Sequence, residues 1–199
     1  MLAKIGPQNE VSDLVRKAQE GDQSSFALLY ERFFDQIFRY VSFKTGSPTE
    51  AEDITGEVFV RMIESIHRFK WQGHPFSSWL FRIAHNLIVD YFRKKGKKAL
   101  VPLEGSADNL RSAHVDVDRR IDLEIAMDEI RRAMEGLTDL QREVISMRFA
   151  GGLSVAETAR AIGKKDNAIK ALQHAGLKKL RMTLAAENSL PVLLHQLEG

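Results

Sequence analysis

The sequence contains no cysteine among its 199 residues. This absence excludes a disulfide framework, a thiolate metal site and a cysteine nucleophile. The chain also lacks a long uncharged apolar run, and its first residues lack the apolar core of a signal peptide. We therefore expect a cytoplasmic protein with no membrane insertion. Motifs for a catalytic, metal or cofactor site are missing too, so we do not expect an enzyme.

Proline and glycine are scarce, at 5 and 13 residues, whereas Leu, Ala, Glu, Lys and Arg are abundant. This composition predicts an all-α fold. The hydrophobic fraction of 44% is enough for packed cores, and the length suits one domain or two small ones. The net charge is only +2, so the pattern of charge is more informative than its sum.

The amino-terminal part, residues 1–98, is predicted to form a helical bundle. Apolar and aromatic residues recur at helical spacing over Phe26–Phe43, which indicates a helix buried on a wide face. The run Ser47–Glu50 then combines a capping serine, a proline for the first turn and a capping-box glutamate. It predicts a helix that continues to about Phe69. The first turns of this helix are acidic, which ordinarily indicates a solvated face that suits the helix dipole.

Aromatic and basic residues are interleaved between residue 69 and residue 98, where a long helix is predicted at Phe76–Lys95. Such a surface suits single-stranded nucleic acid, because rings stack on unpaired bases and cations follow the phosphates. The alternative is that the rings are core residues and the lysines only solubilise the chain. We expect this of Phe76 and Trp79, but not of Trp71, which lies in a polar loop.

A segment without clear periodicity, residues 99–118, is rich in turn-forming and acidic residues, and we interpret it as a flexible linker. Helical patterns return over residues 119–183, which predict a small four-helix domain. Within it, Thr138 and Gln141 have the spacing of a capping box. The tail, residues 184–199, carries apolar residues whose role the sequence does not decide.

The stretch Leu153–Leu180 has the pattern of a helix-turn-helix. Ser154 and Glu157 form a capping box at the start of its first helix. Gly163 supplies a residue that tolerates positive φ at the turn, and a second helix is predicted from about Asp166. Basic and hydrogen-bonding residues then face outward, as a major-groove reader requires. The alternative is an ordinary helical hairpin with a solvated face.

Taken together, the chain resembles a bacterial RNA polymerase sigma factor of the sigma-70 family, in its extracytoplasmic-function (ECF) class. The resemblance covers about Leu14–Arg181 and rests on three blocks in order. These are AEDITGEVFVRM (51–62), FSSWLFRIAHNLIVDYFRKK (76–95) and LTDLQREVISMRFAGGLSVAETARAIG (137–163). It implies two small helical domains, a sigma2-like bundle and a sigma4-like helix-turn-helix domain, joined by the linker.

The resemblance also implies partners and binding residues. Core RNA polymerase is expected to bind the acidic helix through Glu52, Asp53 and Glu57. The melted strand of the minus-ten promoter element is expected at Trp71, His74, Asn86, Arg93, Lys94 and Lys95. Duplex DNA of the minus-thirty-five element is expected at Lys165, Asn167, Lys170, Ala171, His174, Lys178, Lys179 and Arg181. An anti-sigma factor is a further class of partner that members of this class have.

Two departures from the family pattern stand out. Gly56 replaces the usual glutamine in the acidic helix, where backbone entropy costs about 0.5–1 kcal/mol. In the second helix of the helix-turn-helix, Ala171, Ala175 and Gly176 replace residues with polar reach, which leaves the minus-thirty-five contacts open.

Two other functions are conceivable from the sequence. A stand-alone helix-turn-helix regulator explains Leu153–Leu180 but not the interleaved aromatic and basic residues. A helical metal-dependent hydrolase would use His67, His74, His85 and Asp90, but these residues do not form a recognised metal motif.

Overall fold

The computed structural model describes residues 7–71, 74–98, 126–127 and 129–186. Every regular element in these ranges is helical, as predicted. A 3-10 turn at Ile66–Arg68 and a wide π turn at Ser146–Ala150 accompany the main helices. The main helices are α1 (Pro7–Gln19), α2 (Gln23–Thr45), α3 (Pro48–Ser65), α4 (Phe76–Lys98), α5 (129–135), α6 (Asp139–Ile145), α7 (Val155–Ile162) and α8 (Asp166–Ala186). None of these helices has the length and low polarity needed to cross a lipid bilayer.

The chain divides into two compact units that do not follow the order of the sequence. The first unit contains α1–α4 together with Ser146–Asp166, and the second contains α5, α6 and α8 from Asn167 onward. The sequence instead predicts that Ser146–Asp166 belongs to one domain with the rest of residues 119–183. The predicted linker, residues 99–118, lies outside the described residues, as does the tail beyond residue 186. The domain boundaries therefore stay a prediction.

Side-chain caps begin two helices of the first unit, and the cap at Ser47 was predicted from the sequence. Asp22 accepts a hydrogen bond from the backbone N–H of Ser25 at 3.0 Å, and Ser47 accepts one from that of Glu50 at 3.5 Å. Gly46 ends α2 with a φ of 67°, in the left-handed region that favours glycine. α3 ends at Ser65, earlier than predicted, because the 3-10 turn replaces its last turn.

The core of the first unit is rich in aromatic side chains. Tyr40, Phe76 and Phe81 are fully or almost fully buried, and Leu29, Ile37 and Leu80 have no exposed surface. Each such side chain contributes about 1.5–3 kcal/mol relative to remaining in water. This burial fixes α4 on the bundle.

Ser146–Asp166 belongs to the same core. Met147, Leu153 and Ala161 are buried in one cluster with the apolar residues of α2–α4. A Cβ atom added at Gly151 would lie only 2.9 Å from both Phe81 Cζ and the Met147 carbonyl oxygen. The close approach of this segment to α4 therefore requires glycine at position 151.

The second unit shows the predicted capping box at the start of α6. The Thr138 N–H donates to Gln141 Oε1 at 3.1 Å, and the Gln141 N–H donates to Thr138 Oγ1 at 3.3 Å. On α8, Ile169 is fully buried and Gly176 is also buried. A Cβ atom at Gly176 would lie 3.2 Å from Ile145 Cγ1, so this glycine permits close packing of α8 on α6.

Candidate nucleic-acid interface

The acidic side chains of α3 project away from its buried stripe. Glu52 and Asp53 are exposed and Glu57 is half-buried, whereas Ala51, Ile54 and Val58 form the buried face. Glu57 Oε1 accepts a hydrogen bond from Arg61 Nε at 2.7 Å, which partly neutralises its charge. The acidic surface at the start of α3 is therefore carried mainly by Glu52 and Asp53.

Exposed apolar side chains continue this outer face of α3. Val60 and Ile63 are 48% and 53% exposed, although neither has a polar atom in its side chain. Gly56 is exposed as well, and a Cβ atom there would meet no other atom within 4 Å. Acidic and apolar groups therefore lie side by side on the outer face of α3.

The loop before α4 contains a cluster of aromatic rings around Phe69. The ring of Phe69 lies 5.2 Å from that of Trp71, 5.4 Å from that of Phe76 and 5.3 Å from that of Trp79. Phe76 is buried, which confirms the expectation that it is a core residue, whereas Trp79 is half-buried and packs against the edge of the core. Trp71 packs one edge against Phe69 and keeps 43% of its surface exposed, so its ring is available for stacking.

A cavity of about 580 Å³ adjoins this loop. Trp71 and His74 line it together with Arg32 and Gln36 of α2. An aromatic ring, an imidazole, an amide and a guanidinium offer stacking, hydrogen bonding and positive charge in one place. The ring, the imidazole and the amide suit an unpaired base, whereas the Glu157 carboxylate, which also lines the cavity, disfavours a phosphate beside it.

The exposed side of α4 carries the other predicted minus-ten residues. Asn86, Arg93, Lys94 and Lys95 are all exposed. Asn86 and Arg93 are two helical turns apart and share a face. Arg93 Nη2 forms an exposed ion pair with Asp90 Oδ1 at 2.9 Å, which leaves most of its donors for other partners.

The carboxyl end of α4 joins aromatic rings to basic groups. Lys95 Nζ donates to the Tyr91 hydroxyl at 3.0 Å and lies 5.4 Å from the centre of that ring. This hydrogen bond raises the pKa of Lys95 above its ordinary value. The ring of Phe92 contacts that of Tyr91 and is 43% exposed. The predicted interleaving of rings and cations is therefore present at the surface.

Hydrogen bonds that the sequence does not indicate join α4 to α7 within the first unit. Ser77 Oγ donates to Glu157 Oε1 at 2.6 Å, and Ser78 Oγ donates to the Glu157 carbonyl oxygen at 2.9 Å. Arg82 donates through Nε to the Ala161 carbonyl oxygen at 3.2 Å. The one hint in the sequence is a pair of adjacent serines in the first turn of α4.

Glu157 serves two structural roles at once. Its carboxylate accepts from the Ser154 N–H at 2.8 Å while the Glu157 N–H donates to Ser154 Oγ at 3.1 Å, which confirms the predicted capping box. Burial alone would raise the pKa of this carboxyl. The hydrogen bonds from Ser77 and Ser154 outweigh burial, so the pKa of Glu157 lies below its ordinary value.

The turn after α7 has the predicted geometry. Gly163 has a φ of 66°, and its N–H donates to the Ala159 carbonyl oxygen. The Lys164 N–H donates to the same oxygen at 2.8 Å. This pattern closes the carboxyl end of α7 and confirms Gly163 as the turn residue.

The predicted minus-thirty-five residues are all exposed. Asn167, Lys170, His174, Lys178 and Arg181 recur at steps of three or four and therefore form one face of α8. The remaining exposed members of the set are Lys165, Ala171 and Lys179. The face offers an amide, an imidazole and several positive charges, which are the groups that contact base edges and phosphates.

The alternative metal site has no geometric support. Within the ranges that the structure describes, no group of three His, Asp or Glu side chains is placed to hold a metal ion. His67 is exposed in the 3-10 turn and its Nε2 receives a hydrogen bond from Arg68 at 3.2 Å.

Comparison with known proteins assigns both halves of the chain. Residues 29–98 match the family model "Sigma-70 region 2", and residues 127–180 match "Sigma-70, region 4". The ECF RNA polymerase sigma factor BldN of Streptomyces coelicolor is 36% identical over 175 residues, which cover 86% of this chain and 65% of BldN. SigX of Bacillus subtilis, also an ECF sigma factor, is 29% identical over 162 residues, which cover 80% of this chain and 83% of SigX.

Solved structures support the same fold. CnrH, in complex with the cytosolic domain of CnrY, aligns with a TM-score of 0.66 at 22% identity, over 87% of this chain and 96% of CnrH. The sigma factor RpoE, in complex with the anti-sigma factor NepR from Bartonella quintana, aligns with a TM-score of 0.60 at 20% identity, over 80% of this chain and 96% of RpoE.

Proposed function

The chain belongs to the sigma-70 family of RNA polymerase sigma factors, in the ECF class, and on that premise we propose that it binds core RNA polymerase and directs promoter-specific transcription initiation. The observation that carries the proposal is that each of the two regions matched by the family models exposes a surface suited to binding nucleic acid. One is the aromatic and basic surface of α4 and its preceding loop, and the other is the polar and basic face of α8.

The outer face of α3 is the proposed polymerase-docking surface. Glu52 and Asp53 supply negative charge, and Val60 and Ile63 supply exposed apolar area. Charge complementarity speeds association and fixes register, while apolar burial supplies affinity. Glu57 contributes less, because Arg61 already pairs with it.

The surface around Trp71 is the proposed reader of the melted minus-ten strand. Trp71 stacks on a flipped base, while His74 and Asn86 supply hydrogen bonds to base edges exposed only after melting. Arg93, Lys94 and Lys95 follow the phosphates along the exposed side of α4. Unstacking a base costs a few kcal/mol, and these contacts must supply it.

The face of α8 from Asn167 to Arg181 is the proposed reader of the duplex minus-thirty-five element. Lys170 and His174 lie at its centre, where a helix in the major groove approaches base edges. Lys178, Lys179 and Arg181 suit the flanking phosphates. Ala171 is exposed between them and suits contact with a thymine methyl group.

An anti-sigma factor is a proposed second protein partner. The solved structures of CnrH and RpoE are complexes with CnrY and with the anti-sigma factor NepR. In the present chain, Leu28 and Tyr30 of α2 are 48% and 43% exposed, and add apolar area to that of α3. A partner bound there would compete with polymerase for the same first unit.

Run-off transcription with core polymerase on a genomic promoter library tests the proposed function. We expect transcripts from a distinct promoter class, and their loss when Glu52→Lys and Asp53→Lys are combined. Arg39→Glu, a charge reversal of an exposed residue on α2, is the control and should leave transcription unchanged. Duplex binding that needs no polymerase, without any transcript, would favour a stand-alone helix-turn-helix regulator instead.

A further inference from the structure

A small cavity of the first unit is lined by an unusual concentration of positive charge. It measures about 220 Å³ and lies between the loop, α4 and α7. Four of its eight lining residues carry permanent positive charge, and none is acidic. The charged residues are Arg68, Lys70, Arg82 and Arg160, beside His74 and the ring of Trp79.

The charges in this cavity are only partly used by the protein. Arg82 donates to the carbonyl oxygens of Arg160 and Ala161, which holds α7 on α4. Arg160 Nη1 lies 3.5 Å from Asp166 Oδ1, but both side chains are about 40% exposed or more, and such a pair is weak. Arg68 and Lys70 are exposed. Like charges gathered in a concave site raise the local concentration of anions.

We propose that this cavity is a binding site for a compact phosphate-bearing ligand, of which inorganic diphosphate is the simplest example. Guanidinium groups match phosphate oxygens in pairs, and the lysine adds a mobile charge. The volume lies below the roughly 300–1,000 Å³ of sites for drug-sized ligands, which favours a small, densely charged group. Trp79 gives the site an apolar wall.

The position of Arg160 makes the site depend on how α7 packs against α4. Arg160 is a residue of α7, whereas the other three cations belong to the 3-10 turn, the loop and α4. The complete site therefore exists only while Ser146–Asp166 packs on α4. A ligand that binds this packed form alone stabilises it by RT ln(1 + [L]/Kd), which grows with the concentration of free ligand.

A ligand bound in the cavity should inhibit promoter recognition. This regulatory part of the inference rests on the proposed function. Promoter elements named for positions ten and thirty-five are about 85 Å apart at 3.4 Å per base pair. α7 precedes α8 by only three residues, so α7 cannot stay on α4 while α8 and α4 recognise the two elements. Arg82, which holds α7, also lies one turn from Asn86 on the same face of α4. Phosphate in the cavity therefore holds the chain in a form that does not recognise a promoter.

Titration of the full chain with sodium pyrophosphate tests the site without polymerase or DNA. The chain has two tryptophans, so in a Trp71→Phe background the fluorescence of Trp79 reports the cavity. We expect Arg160→Gln and Arg68→Gln each to raise the dissociation constant at least about tenfold, as for loss of a charge-assisted hydrogen bond. Arg39→Gln, an exposed arginine of α2 outside the cavity, should leave it unchanged. Equal binding by all three variants, or no saturable binding, would overturn the proposal.

A second arm identifies the source of the phosphate. A short single-stranded oligonucleotide is added to the pyrophosphate complex of the same background. We expect Arg160→Gln to leave oligonucleotide affinity unchanged, because Arg160 is not among the residues of the proposed minus-ten surface. If the oligonucleotide instead displaces pyrophosphate and loses affinity in Arg160→Gln, the cavity belongs to the nucleic-acid surface and the free-ligand site is wrong. Failure of either arm leaves the run-off result untouched, so the two proposals fail separately.

Discussion

The two helices of the helix-turn-helix differ sharply in how their side chains are used. α7 has eight residues, and Thr158, Ala159 and Ala161 are buried in it. Glu157, another residue of α7, bonds both to its own cap and to α4. α8 has 21 residues, of which Ile169, Gly176 and Leu180 are buried, and it exposes a long polar face. α7 is therefore held by its contacts within the chain, whereas most of the polar surface of α8 is left exposed.

The largest effect is expected from a change that breaks the packing before α7. Gly151→Ala places a Cβ atom within 2.9 Å of Phe81 Cζ and of the Met147 carbonyl oxygen. We expect it to destabilise the first unit by about 1–3 kcal/mol, as overpacked cores do. Urea unfolding followed by far-UV circular dichroism measures the change.

A matched glycine provides the control for that experiment. Gly56→Ala on α3 adds a Cβ atom in open space and should stabilise the protein by up to about 1 kcal/mol, because alanine favours a helix. If Gly151→Ala stabilises the protein as Gly56→Ala does, Ser146–Asp166 does not pack closely on α4.

Much of this arrangement is predictable from the sequence because it is local. The capping residues Ser47 and Ser154 and the turn at Gly163 each depend on neighbours within a few residues, and all three were predicted correctly. The exposure of the α8 face follows from helical period alone.

The packing of α7 on α4 was not predictable, for a physical reason. Periodicity shows which face of a helix is buried but not which element covers it. The sequence assigns the carboxylate of Glu157 only to its cap, since nothing local indicates a bond to Ser77, 80 residues away. The sequence pattern treats Gly176 as a loss of polar reach, whereas the structure buries it against Ile145; its small size is the available signal.

The next effect concerns the contacting helix. Lys170→Ala should weaken binding of the polymerase complex to duplex promoter DNA by about 1–3 kcal/mol if Lys170 contacts a base edge. A smaller loss that falls with added salt indicates a phosphate contact. Gel-shift affinity at two salt concentrations measures it, with the exposed Lys164→Ala beside the turn as control. Equal affinity of Lys170→Ala and wild type would remove Lys170 from the interface.

A third prediction separates α8 from the surface of α4 by the state of DNA that each recognises. Trp71→Ala and Asn86→Ala should leave duplex binding nearly intact but reduce promoter opening, because both residues suit unpaired bases. Permanganate reactivity of thymines in the minus-ten region measures opening. A pre-melted minus-ten bubble should restore part of the lost activity. Unchanged opening in Asn86→Ala would show that this residue does not contact the melted strand.

The smallest effect is expected from titration of Glu157, which joins α7 to α4. Its pKa in the folded chain lies below the ordinary 4.5, because hydrogen bonds from Ser77 and Ser154 favour the charged form more than burial disfavours it. A lowered folded pKa means that the carboxylate stabilises the fold above pH 4.5 and that this stabilisation is lost as the pH falls through the folded value. In Glu157→Gln the amide oxygen still accepts a hydrogen bond but carries no charge. The free energy of unfolding of wild type should therefore exceed that of Glu157→Gln at neutral pH, and the gap should close under acid. Ser77→Ala removes only the donor on α4. In a Ser77→Ala background, Glu157→Gln should therefore lower the free energy of unfolding at neutral pH by less than it does in wild type, but still by a measurable amount, because Ser154 still binds the carboxylate. A gap that stays constant from neutral to acid pH would mean that the contact between α7 and α4 does not depend on the charge of Glu157.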